Sequence, residues 1–427
     1  MKRAVPVLAA LVAFVAFQTH MEPCLAASSQ IELTDPIDET LSTFGDAVAF
    51  AGPGMVLVGA PSDPVGPNVR QGAVHVYKKT PGGAWARTQI LTASDGATWD
   101  FFGYSVAVSG NTAVIGAYIY GGTTTRDVGK AYIFTNSGGT WTQTAILQAS
   151  DAQPCRQFGW SVAIDGTTAL IGAPQSFSIC GSTYYGPGAV YVFQPNGSGV
   201  WTQTQKLVGS NTQNFDAFGY SVALSGSTAF IGTPRHNSLI LSGSAFVFTA
   251  SGGTWSQADE VFASNPALQD EFGNAVAMSG STAIVGAPAK TWSTHVLQGL
   301  AYVFKPTAGV WTQTQLLAAS NGAAHDLFGS AIALQNGTAV IGAFERTIAG
   351  RQNQGAAYVF TETSNVFNQS GFLTANNGAA HDLFGFSVAV SNPLQGGTGN
   401  GRVYLIGAPG VYDATKPFSG AAYILGE

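Results

Sequence analysis

Aspartate recurs at one position of a repeated pattern, and these aspartates are the residues of this sequence best suited to acid–base or metal chemistry. Each stands two residues before a Phe-Gly dipeptide, at Asp100, Asp216, Asp270, Asp326 and Asp382. If the repeats form a ring, the five carboxylates surround the mouth of its central channel and could together hold a cation. The structural alternative is that each aspartate caps the backbone of its own turn, as aspartate commonly does.

Basic residues gather in the loops that follow a second recurring pattern, Gly-Ala-Pro or a close variant. These cations are Arg70, Arg126, Arg235, Lys290, Arg346, Arg351 and Lys416. The one repeat with Arg156 at the aspartate position also has no basic residue in its long loop. Each aspartate could therefore pair with a cation of its own repeat, although we favour the reading that it caps its own turn.

The same loops are long and differ from repeat to repeat, which is typical of binding surfaces carried by a rigid scaffold. Their aromatic side chains offer stacking area, and their arginines offer hydrogen bonds to hydroxyl or carboxylate groups. The candidate ligand-binding residues are Arg126, Tyr184, Tyr185, Arg235, His236, Trp292, Arg346 and Tyr412, with Tyr118 and Tyr120 as further loop aromatics. Single exposed aromatics are also ordinary on loops, so each of these residues has a structural alternative.

No residue pattern indicates covalent catalysis. The sequence contains no Gly-x-Ser-x-Gly elbow and no Walker A loop. Cys155 and Cys180 fall in one repeat, and we expect them to form a disulfide if the chain is exported. Two unpaired thiols are the alternative. We expect no cofactor.

Seven repeats of about 56 residues position these side chains. Phe-Gly begins at Phe44, Phe102, Phe158, Phe218, Phe272, Phe328 and Phe384. Each is followed by an alternating segment, a Gly-containing turn, the Gly-Ala-Pro segment, an aromatic segment and a Trp-Thr-Gln segment. Period-two alternation between tight turns predicts four short strands per repeat. Four-stranded units repeated radially describe an all-β protein, a seven-bladed β-propeller.

The chain ends predict how the ring closes. The last repeat stops after its third strand, and residues 30–33 resemble the end of a fourth strand. We therefore predict that the N-terminal strand completes the last blade. Residues 28–427 then form one domain.

The spacing of Phe-Gly and Gly-Ala-Pro resembles the FG-GAP repeats of integrin α-subunit propellers and of secreted bacterial proteins. The resemblance covers residues 28–427 and implies the same propeller. Integrin-type blades often hold calcium in an Asp-rich loop between their first two strands. Here those loops carry at most one carboxylate each, as at Asp165, so we expect no calcium in them.

The N-terminus predicts export. Lys2 and Arg3 precede an apolar run, and small residues lead to Ser28, so residues 1–27 read as a signal peptide. A membrane anchor is the alternative, but we expect no membrane span because the run is too short. A net charge of −6 argues against nucleic-acid binding. The expected location is secreted, either extracellular or periplasmic.

Three functions fit these observations. The first is a secreted or cell-surface binding or adhesion module, a monomer that recognises a glycan or an extracellular protein through its variable loops. The second is a secreted hydrolase or lyase with a site at the channel mouth. The third is a structural protein of an envelope or matrix. We favour the first, because no unique catalytic group stands out.

Overall fold

A computed structural model describes residues 30–35, 42–119, 128–175, 186–236, 241–391, 401–411 and 419–426. In these ranges the regular elements are all β-strands, which form seven antiparallel sheets of four strands. The predicted all-β class and the seven-bladed propeller are confirmed. No described segment forms a helix long and apolar enough to cross a membrane. The signal peptide predicted for residues 1–27 lies outside the described residues.

The first strand of each blade lines the central channel. Neighbouring first strands contact one another around the complete ring. Their small and β-branched residues suit this crowded position near the axis. These strands are β2 (Ala47–Phe50), β6 (Ser105–Ser109), β10 (Ser161–Asp165), β14 (Ser221–Ser225), β18 (Val276–Ser279), β22 (Ile332–Gln335) and β26 (Ser387–Val390).

The second and third strands form the interior of each blade. They are almost continuously apolar because both faces of the sheet pack against neighbouring blades. The second strands are β3 (Met55–Ala60), β7 (Thr112–Ala117), β11 (Thr168–Ala173), β15 (Thr228–Thr233), β19 (Thr282–Ala287), β23 (Thr338–Ala343) and β27 (Tyr404–Ala408). The third strands are β4 (Ala73–Lys79), β8 (Lys130–Ser137), β12 (Ala189–Pro195), β16 (Ser244–Ser251), β20 (Leu300–Thr307), β24 (Ala356–Thr363) and β28 (Ala421–Leu425).

The fourth strands form the outer edge, where buried and exposed residues alternate. They are β5 (Trp85–Leu91), β9 (Thr140–Leu147), β13 (Trp201–Leu207), β17 (Thr254–Val261), β21 (Val310–Leu317), β25 (Val366–Leu373) and, for the last blade, β1 (Gln30–Thr34). Strand β1 pairs antiparallel with β28, with Leu33 opposite Ala422. The predicted closure by the N-terminal strand is confirmed.

The two recurring glycine motifs meet at the boundary between blades. A side chain on Gly116, from Gly-Ala-Tyr of the second blade, would collide with the carbonyl oxygen of Gly159, from Phe-Gly of the third. The same approach joins each blade to the next, and Gly407 meets Gly45 where the ring closes. The motif therefore recurs because only glycine lets the blades pack this closely.

The Trp-Thr-Gln segments also join the blades. The Gln205 side chain bonds both the N–H and the carbonyl of Trp255 in the next blade, at 2.8 and 2.7 Å. Trp141 is 1% exposed and lies in a cluster with Leu57 and Val76 of the first blade. The recurring tryptophans are therefore packing residues.

The propeller has two different faces. The loops between second and third strands and the connections from one blade to the next share one side, here called the loop face. The turns between first and second strands and between third and fourth strands share the other, here called the turn face. Where the structure describes them, the predicted binding loops belong to the loop face.

Candidate functional site

The five predicted aspartates are buried in the loop face. None is more than 3% exposed, and each Oδ2 accepts a hydrogen bond from the N–H three residues earlier, at 2.6–2.7 Å. The residues on either side are left-handed, as with His325 (φ 66°) and Leu327 (φ 55°) around Asp326, and this turns the carboxylate into the blade. Asp100, Asp216, Asp270, Asp326 and Asp382 therefore do not form an open carboxylate ring, which corrects that expectation in favour of turn capping.

Two of the aspartates pair with a cation of their own blade. Lys290 Nζ lies 2.8 Å from Asp270 Oδ2, and Arg346 Nη1 lies 2.5 Å from Asp326 Oδ2. Burial raises the pKa of Asp326, and Arg346 opposes this shift. Arg346, a candidate ligand contact, is thus held within its own blade.

The fourth blade uses a histidine as its cation. His236 Nδ1 lies 2.7 Å from Asp216 Oδ2, and Nε2 lies 3.2 Å from Glu260 Oε1. Burial lowers the pKa of His236, but hydrogen bonds to the two carboxylates outweigh it and raise the pKa to about 9. His236 is 9% exposed with both ring nitrogens engaged, so it joins elements of the blade.

The other predicted residues are spread over the loop face. Arg235 is half-buried and close enough to Glu271 and Tyr220 to influence their pKa values. Trp292 lies in a tight loop, where its N–H donates to the His295 carbonyl at 3.1 Å. Cys155 is buried, and the disulfide stays a prediction because its expected partner lies outside the described residues. The predicted residues outside the described ranges are Tyr120, Arg126, Cys180, Tyr184, Tyr185, Tyr412 and Lys416.

An aromatic cluster occupies the channel mouth on the loop face. Tyr104, Trp160 and Tyr220 each directly follow Phe-Gly in consecutive blades. Their ring centroids lie 5.0 Å (Tyr104–Trp160) and 5.3 Å (Trp160–Tyr220) apart. Tyr118, which replaces the proline of Gly-Ala-Pro, lies 4.3 Å from Tyr104 and 5.0 Å from Trp160. All four side chains are partly exposed.

The cluster continues into the connection between the first and second blades. Phe101 lies 5.8 Å from Tyr118, and Trp99 lies 6.1 Å from Phe101. The Arg70 guanidinium stacks on Trp99 at 4.7 Å. We call the six aromatic residues the aromatic row: Trp99, Phe101, Tyr104, Tyr118, Trp160 and Tyr220. Of these, the sequence indicated only Tyr118, because the others resemble ordinary strand and turn residues until the ring brings them together.

A cavity of about 760 Å³ flanks the row between the last and first blades. Its walls include Leu383, Phe386 and Pro409, and Asp46 and Arg70 also line it. Burial raises the pKa of Asp46 to about 7. Asp46 directly follows Phe-Gly in the first blade. At the same position the next three blades have Tyr104, Trp160 and Tyr220. Asp46 is the one acid among the residues that directly follow Phe-Gly.

A buried ionic cluster joins the N-terminal strand to the first blade. His75 Nε2 lies 2.8 Å from Asp63 Oδ2 and its Nδ1 lies 3.8 Å from Asp35 Oδ1, while Arg87 Nη1 is 3.6 Å from Asp35 Oδ1. Within the described ranges these two aspartates and His75 are the only group of three such side chains placed to hold a metal ion. Arg87 provides a positive charge beside Asp35, and His75 lies within hydrogen-bond distance of Asp63, so the cluster reads as a polar link that closes the ring.

The repeat sequence itself identifies the family. The sequence profile described as the FG-GAP repeat matches residues 85–134, 141–193, 201–248, 255–304, 311–360 and 367–425, which is more than half of the chain. The chain belongs to the FG-GAP repeat family. Each FG-GAP match begins in or beside the fourth strand of one blade and extends into the third strand of the next. No curated protein matches the chain significantly.

One unit of the ring differs from the six that the profile matches. It consists of strands β1 to β4, which no match covers. This unit holds Asp46 and the cluster of Asp35, Asp63 and His75. It therefore combines the family's geometry with its own polar residues. FG-GAP propellers are typical of extracellular proteins and indicate a protein-binding or adhesion-type module.

Proposed function

We propose that this protein is a secreted or cell-surface binding module of the adhesion type, which recognises a glycan or a protein through the loop face. The observation that carries the proposal is the exposed apolar surface of that face. Trp99 is 44% exposed, Phe215 49% and Leu268 66%, all in connections between blades. Exposed aromatic and aliphatic side chains on structured loops are typical of recognition surfaces.

The charges of the loop face support recognition rather than purely electrostatic attraction. Lys290 and Arg346 are neutralised by buried aspartates of their own blades. A ligand there therefore meets apolar and aromatic side chains as well as the remaining arginines, such as Arg70 over Trp99. A partner would gain affinity by covering these side chains, as at the hot spots of protein interfaces.

The test is binding of the purified chain to a glycan array and to immobilised extracellular-matrix proteins. We expect retention on at least one surface, and we expect the double variant Trp99→Ala/Phe215→Ala to lose at least tenfold in affinity. Val200→Ala is the matched control, because Val200 is 58% exposed in a turn of the opposite face. Equal loss with the control variant, or no retention of the wild-type chain, would contradict the proposal.

A hydrolase at the channel mouth is the second candidate, favoured by two carboxyl groups there. Burial raises the pKa of Asp46 to about 7 and also raises that of Glu271. A protonated carboxyl at neutral pH could act as a general acid. The test is release of reducing ends from a polysaccharide. Release that Asp46→Asn abolishes would favour the hydrolase over the binding module.

A further inference from the structure

We propose that the aromatic row is a carbohydrate-binding subsite, along which the sugar rings of a glycan chain stack. This inference rests on the proposed binding function and names its ligand class. The geometry is a continuous patch of six partly exposed rings, with contacting centroids 4.3–6.1 Å apart. Tyr104, Tyr118 and Trp160 contact one another at its centre. Phe101 and Trp99 extend the patch on one side and Tyr220 extends it on the other, so it offers more than one stacking position to a chain of sugars.

The repeat fold does not require these aromatic residues. At the position after Phe-Gly, the remaining blades carry Asp46, Asn274, Ser330 and Phe386. The aromatic residues therefore cluster in three adjacent blades, while the equivalent positions elsewhere are mostly small or polar. Tyr118 likewise stands where five of the seven blades have proline. This departure from the repeat points to a role in ligand contact beyond blade packing.

Polar groups stand where sugar hydroxyls would need them. Asp46 lies near Tyr104 and influences its pKa, which burial raises well above the usual range. At the other end of the inner row, the Tyr220 hydroxyl bonds to the Asn274 side chain, and Glu271 and Arg235 lie beside it. Carboxyl, amide and guanidinium groups together accept and donate hydrogen bonds, which matches the mixed donors and acceptors of a sugar.

The surroundings favour a thin chain over a protein surface. The row lies at the channel mouth beside the cavity of about 760 Å³, which Asp46 and Arg70 both line. The row residues do not line this cavity, but Arg70 connects the two because it lines the cavity and stacks on Trp99. A concave site with a few polar groups is typical of small-ligand recognition. A convex protein surface would reach the exposed Trp99 more readily than the half-buried Tyr104 and Trp160.

The test is calorimetric titration of the full chain with a panel of soluble hexasaccharides: β-1,4-glucan, β-1,4-xylan, β-1,4-mannan, β-1,4-N-acetylglucosamine and α-1,4-galacturonate. We expect at least one to bind, and we expect Trp99→Ala and Trp160→Ala each to weaken it at least fivefold. Val200→Ala, which changes an exposed side chain on the turn face, is the matched control and should change affinity less than twofold. Trp99 is exposed, so its variant keeps the test valid if Trp160→Ala fails to fold.

The outcomes separate the two proposals. If no hexasaccharide binds, or if the row variants bind as tightly as the wild-type chain, the carbohydrate subsite is wrong. If in addition Trp99→Ala/Phe215→Ala still loses attachment to an immobilised protein, the binding module stands with a protein partner. If that attachment is also unaffected, both proposals fail.

Discussion

Closure of the ring by the N-terminal strand makes the strongest stability prediction. Deletion of residues 28–35 removes Leu33, which is 3% exposed, and the whole β1–β28 ladder. It also removes the Thr34 carbonyl that accepts from Tyr77 Oη at 2.6 Å. Burial of one leucine contributes about 2–3 kcal/mol and each net hydrogen bond about 1 kcal/mol, so the loss is roughly 5–8 kcal/mol. That loss is comparable with the total stability of many domains.

The assay is thermal unfolding followed by circular dichroism. We expect the deletion to lower Tm by more than about 10 °C or to prevent folding. Leu33→Ala gives a graded version, expected to cost about 2–5 kcal/mol. Thr34→Ala, which keeps the backbone carbonyl of an exposed residue, should stay within about 0.5 kcal/mol of the wild-type chain. A deletion variant that melts within about 2 °C of the full chain would refute closure by this strand.

Three further predictions concern buried charges. Lys290→Met should destabilise the protein by about 3–5 kcal/mol because it leaves Asp270 buried and unpaired, and Lys290→Met/Asp270→Asn should recover most of the loss in denaturant titrations. The raised pKa of His236, about 9, means that its ion pairs stabilise the fold fully below pH 6.5 and are lost as the pH rises through 9. The Tm advantage of the wild-type chain over His236→Gln should therefore shrink between pH 6 and pH 10. Burial raises the pKa of Asp46 to about 7 because the folded state disfavours the charged carboxylate. Stability therefore falls as the pH rises from about 4 through 7. Asp46→Asn should raise Tm at pH 8 and leave it nearly unchanged at pH 4, and an equal effect at both would contradict this account.

The fold could be predicted well from the sequence because the repeated motifs lie where neighbouring blades contact each other. Gly116 and Gly159 recur because each blade boundary needs two glycines in contact. The closing strand was also predictable, since residues 30–33 look like the end of a fourth strand without a third strand before it. These features depend on local patterns that repeat seven times.

The site was harder to predict because it depends on how non-repeated residues meet. The pairing of Asp270 with Lys290 followed from their shared blade, but the inward direction of the aspartate depends on left-handed residues on both sides, which the sequence does not reveal. Tyr104, Trp160 and Tyr220 lie more than fifty residues apart in the chain. Only the closed ring makes them neighbours.

The most direct test of the loop face as the binding surface is hydrogen exchange of the chain with and without the ligand retained on the array. We predict slower exchange at the backbone amides of Trp99 and Phe101 and in the other connections between blades. Exchange in the turns of the opposite face, such as Gly110, should be unchanged. Slower exchange confined to those turns would contradict the account, because it would place the ligand on the other side of the propeller.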